Sequence, residues 1–209
     1  MPLKTSVICE SCLAAIPVNQ TFFCATCAAR LPDGKKTCHR DAPCLIGGAA
    51  SYANPTVKEL VRQLKFKGVR DAADPLASLL ANYLKNCVPP RFLATCVMIP
   101  VPLSKRRLSE RGFNQAEEIA ERLTMTMTMT MKTDLLVRTR NTKPQTEMRG
   151  FKERLDNLSD CFAAISDIPR KNILLVDDVT TSGTTFCEAA RTLKAAGAGK
   201  IIAVAAAKA

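Results

Sequence analysis

An α/β fold, a mostly parallel sheet flanked by helices with a small cysteine-rich module at its N-terminus, follows from three features of the sequence. Beyond about residue 50, helical apolar periodicity alternates with short apolar runs, the pattern of strands joined by crossover helices. Residues 1–48 carry closely spaced cysteines and turn residues ("LPDGKK", "DAP", "IGG") but no long apolar periodicity. At 209 residues and 47% apolar composition, the chain can bury one good core plus a small appendage. The expected division is a Cys-rich module, 1–48, and an α/β domain, 49–209.

The module is too small for a core of its own and needs a staple. Cys9-x-x-Cys12 and Cys24-x-x-Cys27, eleven residues apart, can each present two thiolates from a tight turn to one tetrahedral ion. Four protein ligands close the shell, which predicts structural zinc held by Cys9, Cys12, Cys24 and Cys27 without activation of water. A redox use of C-x-x-C lacks the thioredoxin-like βαβ context it needs. Cys38, His39 and Cys44 follow at a spacing that makes no convincing second site, so a free or peripheral role is expected. Cys87, Cys96, Cys161 and Cys187 lie in apolar segments and are expected in the core. The chain shows no signal-peptide pattern and no apolar run of membrane-span length, and ten cysteines under those conditions predict a reduced, cytoplasmic protein.

The α/β domain reads element by element. "PTVKELVRQLKF" sets Val57, Leu60, Val61 and Leu64 on one helical face behind a proline suited to a first turn. "DPLASLLANYLKN" repeats the helical pattern, and "CVMIPVP" reads as a buried strand stopped by prolines. "FNQAEEIAERL" is helical, with Asn114 as a cap and Ile119 and Leu123 on one face. Thr124–Met131, "TMTMTMTM", alternates at period two, which fits a strand or an insertion between helix and strand; its methionines are expected to fill gaps rather than bind. "NILLVDD" is a strand, "TTFCEAARTLKAAGA" a helix ending near Gly197, and "KIIAVAAA" the final strand.

The net charge of +11 is uneven. Residues 1–50 hold five basic against three acidic side chains, and residues 51–209 hold twenty-five against sixteen. One basic cluster is Lys105, Arg106, Arg107 and Arg111; another is Arg138, Arg140, Lys143, Arg149, Lys152 and Arg154. Such surfaces suit polyanions, namely nucleic acid, pyrophosphate or acidic protein, although a solubilising face has the same composition.

The stretch "ILLVDDVTTSGTT", Ile173–Thr185, carries the chemistry. In an open α/β sheet ligands bind beyond the carboxyl ends of strands, and the turn after Val176 is expected to be such an end. From Thr180 the chain would run through Thr181, Ser182, Gly183, Thr184 and Thr185 over exposed backbone N–H groups into a helix N-terminus, a cradle for phosphate. It has neither the spacing of a Walker loop nor G-x-G-x-x-G. Asp177 and Asp178 beside that cradle call for a group that satisfies two carboxylates. A ribose with vicinal hydroxyls does so by donating hydrogen bonds, and a divalent ion could also bridge acids, diol and phosphates.

Here the sequence resembles the phosphoribosyl pyrophosphate (PRPP) motif of type I phosphoribosyltransferases. "SYANPTVKELVRQLKFKG", "VPLSKRRLSERGFNQAEEIA" and "RTRNTKPQTEMRGFKERLDNLSDCF" resemble the other signature blocks of the ComF family of competence-associated, phosphoribosyltransferase-like proteins, and with the cysteine module the match covers nearly the whole chain. Where many members carry further paired cysteines, this chain has only Cys38 and Cys44. The resemblance implies a type I phosphoribosyltransferase-like fold with an N-terminal zinc finger. It implies Asp177 and Asp178 on the ribose hydroxyls, with Mg²⁺ accompanying PRPP, and Thr181–Thr185 on the 5′-phosphate. The pyrophosphate loop would run from Pro100 to Arg107, through Val101 and Pro102, with Lys105, Arg106 and Arg107 suited to the polyanion. Residues Thr142–Arg154 would be a mobile lid, which with Arg111 and Arg138 extends the basic surface.

One departure bears on chemistry. Several nucleobase transferases place an acid three residues after the second aspartate position, where this chain has Thr181, a poor general base. Transfer of ribose 5-phosphate needs mainly leaving-group stabilisation and positioning, so catalysis survives that loss in principle while its acceptor goes unnamed. The family's link to natural transformation favours a PRPP-binding protein that handles single-stranded DNA. The alternatives are an active Mg²⁺-dependent transferase and a scaffold whose zinc module docks a DNA-uptake helicase.

Overall fold

Residues 7–32, 38–139, 161–165, 168 and 170–209 are described by the structure, a computed structural model. Among them the strands are β1 (Phe22–Cys24), β2 (Leu45–Ser51), β3 (Cys96–Pro100), β4 (Thr130–Met131), β5 (Leu136–Arg138), β6 (Phe162–Ala164), β7 (Asn172–Thr180) and β8 (Ile201–Lys208). The helices are α1 (Glu10–Ala14), α2 (Pro55–Phe66), α3 (Ala73–Cys87), α4 (Pro90–Leu93), α5 (Lys105–Arg111), α6 (Gln115–Met127) and α7 (Thr184–Ala195). The main sheet has the order β1-β2-β8-β7-β3-β4, parallel throughout except for β1, and β5 and β6 form a separate antiparallel pair. This is the expected mixed, mostly parallel α/β architecture.

β7 occupies the middle of the sheet, and Ile173–Val176 are fully buried, as a strand covered on both faces requires. Alternation sends Leu174 and Val176 into a core with α2, α3 and α6, while Ile173 and Leu175 join a second core beneath α7. Val57, Leu60, Val61 and Leu64 of α2 are all buried in the first core, as their spacing predicts. Asn54 caps α2 by accepting from Thr56 N and Val57 N, and Asn114 caps α6 by accepting from Ala116 N.

Three segments differ from their sequence reading. The "IGG" at 46–48 is the interior of β2, not a turn. A Cβ on Gly47 would lie 2.6 Å from the Tyr83 hydroxyl oxygen, and one on Gly48 would lie 2.6 Å from Lys208 Cβ, so close approach selects glycine there. The expected boundary at residue 48 therefore runs through a strand that pairs with β8. The methionine repeat is not a strand along its length but, as the alternative reading has it, joins helix to strand: Thr124–Met127 finish α6, Thr128 stops it in the left-handed region (φ 51°), and Thr130–Met131 pair with β3. Residues 105–107, read as the end of the loop that starts at Pro100, open α5 instead, with Ser104 as its cap.

The cysteine-rich segment docks on the sheet through β1, which pairs with β2. Beneath it, buried Tyr83 donates its hydroxyl to Thr21 O (2.7 Å) and packs edge-on against Phe22, with ring centroids 5.8 Å apart. On the other side Cys187, in the first turns of α7, donates its thiol to Ala25 O at 3.1 Å. Among the described residues, no helix is long and apolar enough to cross a membrane.

Candidate functional site

The two aspartates stand inside β7, as the reading of "NILLVDD" as a strand has it, but the turn expected after Val176 comes only after Thr180. The strand continues past Val176 to Thr180, with Asp177 paired to Ala205, Val179 to Ala207 and Thr180 to Lys208. Register with β8 thus fixes both carboxylates. Neighbouring strand residues project to opposite faces, so Asp178 turns towards α2 and Asp177 towards the α7 side. Asp178 is buried; its Oδ1 lies 2.9 Å from Lys65 Nζ and accepts from Val179 N at 2.6 Å. Asp177 keeps partial solvent contact at the mouth and accepts from Asp178 N at 2.8 Å. Surrounding protein and the charge of Asp178 push its carboxyl up to about 8, against the pull of Lys65.

After Thr180 the chain turns through Thr181 and Ser182 to Gly183, whose φ of 78° is left-handed. A Cβ at Gly183 would also run into Ile46 Cδ1, so two constraints select glycine. Gly183 is the N-cap of α7, and Ser182 Oγ and Thr184 Oγ1 are 2.5 Å apart. Asp177 lines a small concavity with Thr181 and Gly183–Thr185. A group held there meets the open N-terminus of a twelve-residue helix, which favours an anion. Lys208 sits on the rim. Its Nζ donates to Thr181 O and Ala209 O at 2.7 Å each, and the Phe23 ring centroid lies 5.4 Å away.

The expected pyrophosphate segment also meets the acids, but through one side chain of its basic triplet. Val101 N donates to Val176 O at 2.8 Å and Asn114 Nδ2 to Val101 O at 3.1 Å, which pins the chain after β3 to the central strand. Pro102 follows, and α5 then aims Arg107 inward, close enough to interact with Asp177. Burial, followed by the charge of Arg111, lowers the Arg107 pKa. Lys105 is exposed, and Arg106 is paired with Glu110 at 2.7 Å on the surface. Arg111 donates to Gln115 Oε1 (2.7 Å), and its guanidinium carbon is 5.7 Å from the centroid of exposed Phe66. Arg138, on β5, lies near Asp177 and Arg107, and burial lowers its pKa. Arg140, Lys143, Arg149, Lys152, Arg154 and the expected lid 142–154 lie outside the described residues.

The cysteine ligands are grouped differently from the spacing argument. Cys24, Cys27, Cys38 and His39 bring their ligand atoms within 4.8 Å of one another, whereas Cys9 and Cys12 are not in that group. Cys24 Sγ is 3.4 Å from His39 Nδ1, Cys38 Sγ is 3.2 Å from it, and Cys27 Sγ is 3.3 Å from Cys38 Sγ. The physical reason lies in the local chain path. Cys9 precedes a surface helix, α1, that carries Cys12 on an exposed turn, while the knuckle at Cys24–Cys27 starts at the end of β1. Burial opposes ionisation of Cys24, but bonds from Cys27 N, Cys38, Thr26 N and His39 bring its thiol to about 6. Three thiols and one imidazole within reach of a single point fit zinc and could hold it tetrahedrally. Cys38 and His39, expected to be peripheral, stand beside the second C-x-x-C pair, where they could complete a metal site with it. Cys96, Cys161 and Cys187 are buried, as expected, and Cys87 is half-buried; Cys44, expected to be free or peripheral, is buried as well.

Lys65 and Lys208 were not singled out by the sequence. Lys65 lies in a quoted signature block, and its place at the end of a helix before Gly68 was the available signal; Lys208 gave none.

A phosphoribosyl transferase domain is recognised over residues 108–209. The chain is 29% identical to the competence protein ComFC of Bacillus subtilis over 197 residues, covering 89% of this chain and 77% of that protein. It is 28% identical to the DNA utilization protein YhgH of Escherichia coli K12 over 220 residues, 93% of each chain. Among solved structures, glutamine PRPP amidotransferase from B. subtilis superposes on 65% of this chain and 26% of its own, with 20% identity and a TM-score of 0.40.

Proposed function

We propose, for a chain that belongs to the ComF family and carries a phosphoribosyl transferase domain, that it binds PRPP or a related phosphoribosyl ligand and handles single-stranded DNA during DNA uptake. The observation that carries the reading is the convergence at the carboxyl end of β7: an acid fixed by the sheet, a glycine-turned helix N-terminus, and Arg107 and Arg138 facing the same acid. Asp177 and Asp178 receive the ribose hydroxyls, Thr181–Thr185 the 5′-phosphate, and Arg107 the pyrophosphate. Lys208 holds the first turn of the phosphate loop through Thr181 O. The names of the relatives, which speak of competence and DNA utilization, supply the DNA half. Lys105 and Arg106 are exposed near the same site and suit a phosphate backbone. The protein works in the cytoplasm, where the thiol ligands stay reduced. Zinc on Cys24, Cys27, Cys38 and His39 supplies cross-linking alone, since four protein ligands leave no open position.

Mg²⁺ fits the acid pair poorly as a direct ligand, because Asp178 Oδ1 already faces an ammonium at 2.9 Å. A divalent ion would arrive on the pyrophosphate of the ligand. Calorimetric titration with PRPP tests the reading: the wild type binds, and Asp177→Asn with Asp178→Asn loses about a hundredfold or more in affinity while keeping its circular dichroism. Equal affinity in the double variant would overturn the ribose assignment.

A further inference from the structure

Lys65 belongs to the one signature block, residues 51–68, to which the function above gives no role. It stands at the end of α2, and the helix buries Val61 and Leu64, so the backbone that carries its side chain is anchored in the core. Its side chain is 21% exposed and that of Asp178 is 5% exposed, so the contact is shielded from solvent. The geometry at Asp178 is a completed charge pair on one oxygen, Oδ1, with Val179 N as its second donor. The other oxygen, Oδ2, is buried with no hydrogen-bond partner among the described residues. That orphan acceptor is the group left for a ligand hydroxyl. On the opposite side of β7, Asp177 faces Arg107 and Arg138. Two aspartates thus meet three basic side chains before any ligand arrives.

A metal ion ligated by Asp178 would share a shielded carboxylate with an ammonium group already at contact distance. Their mutual repulsion is far stronger there than in open water. Mg²⁺ also requires near-octahedral oxygen ligands and gives up its water reluctantly. A sugar hydroxyl has neither difficulty, since it brings a proton to Oδ2 and leaves the Lys65 contact intact.

We infer that Lys65 is the resident cation of the acid pair, so that the site takes the ribose of its phosphoribosyl ligand with no metal ion ligated by Asp178. This rests on the phosphoribosyl reading for the ligand but not for the cation. Lys65 acts here as a positioning residue: it neutralises Asp178 and aims Oδ2 at the sugar.

The test has two arms on zinc-loaded full chain. In the first, Mn²⁺ alone is titrated and followed by the loss of its free-ion electron paramagnetic resonance signal. Lys65→Met should gain a site that binds Mn²⁺ roughly tenfold more tightly than wild type, because a competing charge is gone. Adding Asp178→Asn should remove the gain, and Lys65→Arg should behave as wild type. If Lys65→Met gains nothing, the inference fails. Should Lys65→Met not fold, Asp178→Asn must leave the Mn²⁺ binding of the wild type unchanged; a loss of binding would overturn the inference. In the second arm, sodium PRPP is titrated in buffer depleted of divalent ions and again with Mg²⁺. Wild type should bind within about threefold in the two buffers, whereas Lys65→Met should need the metal. Wild-type binding that vanishes without Mg²⁺ would overturn the inference. Absence of PRPP binding in both buffers would overturn the phosphoribosyl reading instead, and the Mn²⁺ arm would still decide the role of Lys65.

Discussion

At the carboxyl end of β7 the polar groups are fixed by register, whereas around Cys24 they come from turns. Asp177, Val179 and Thr180 are each paired with a residue of β8, and Gly183 is pinned between β2 and α7. Cys27, Cys38 and His39 are exposed, and only Cys24 of that group is buried. A sheet can hold carboxylates against desolvation because its hydrogen bonds and flanking cores do the holding. A segment with few buried apolar groups cannot, and a cation shared by its side chains must take over. The first region is therefore expected to survive loss of its ligand, and the second to fail without its metal.

The sharpest contrast follows from the metal. Cys38→Ser and His39→Ala should bring zinc content well below one per chain and make residues 7–44 the first site of proteolysis, since structural zinc can contribute ~10 kcal/mol or more to holding such a module. Cys9→Ser should leave zinc in place. Metal analysis on the purified variants decides the ligand set, and zinc lost with Cys9 but kept without Cys38 would restore the spacing-based assignment.

Gly183→Ala attacks the other region where its backbone is most constrained. It combines a left-handed φ with contact against Ile46, so a loss of ~2–4 kcal/mol in urea unfolding is expected, with PRPP affinity falling about tenfold or more. Wild-type stability in that variant would show that the loop is free to move away from β2.

A smaller effect of opposite sign is expected at Asp177. Its carboxyl pKa rises from an ordinary 3.8 to about 8 in the fold, so the folded state binds a proton that the unfolded state has released. Its contribution to stability is thus full below about pH 4 and is lost as pH rises towards about 8. Asp177→Asn removes this dependence. The variant should melt higher than wild type at pH 8, by about 1 kcal/mol or more, with the difference shrinking towards pH 4. Thermal melts across that range check it, and a variant less stable at pH 8 would mean that the carboxylate is held by partners rather than strained.

The smallest effect belongs to the surface. Arg106→Glu should weaken labelled single-stranded DNA only a few-fold and lower the salt slope by about 0.7, the share of one phosphate contact. Fluorescence anisotropy across a salt series measures it, and an unchanged slope would remove this face from the DNA path.

Much of the sheet was legible because periodicity reports burial directly. α2, α3, α6 and the apolar half of β7 stand where their patterns put them. The failures share a cause, which is that partners remote in sequence are invisible to local reading. Gly47 and Gly48 signal a turn until Tyr83 and Lys208 are seen against them. Cys9 and Cys12 have the better spacing, yet the structure groups Cys24 and Cys27 with Cys38 and His39, a candidate set that spacing alone did not offer. The two acids were legible as a site, yet Lys65, more than one hundred residues upstream of Asp178, became its neighbour only when α2 packed on the sheet.

Titration with ribose 5-phosphate, which carries the diol and the 5′-phosphate but no pyrophosphate, tests the central claim that the acids and the loop after β7 form one phosphoribosyl site. Calorimetry on wild type, Asp178→Asn and Gly183→Ala should give saturable one-site binding that both substitutions weaken by about tenfold or more, with inorganic phosphate sensitive to Gly183→Ala alone. Ribose 5-phosphate that binds wild type and both variants equally, or that does not bind wild type, would contradict the account.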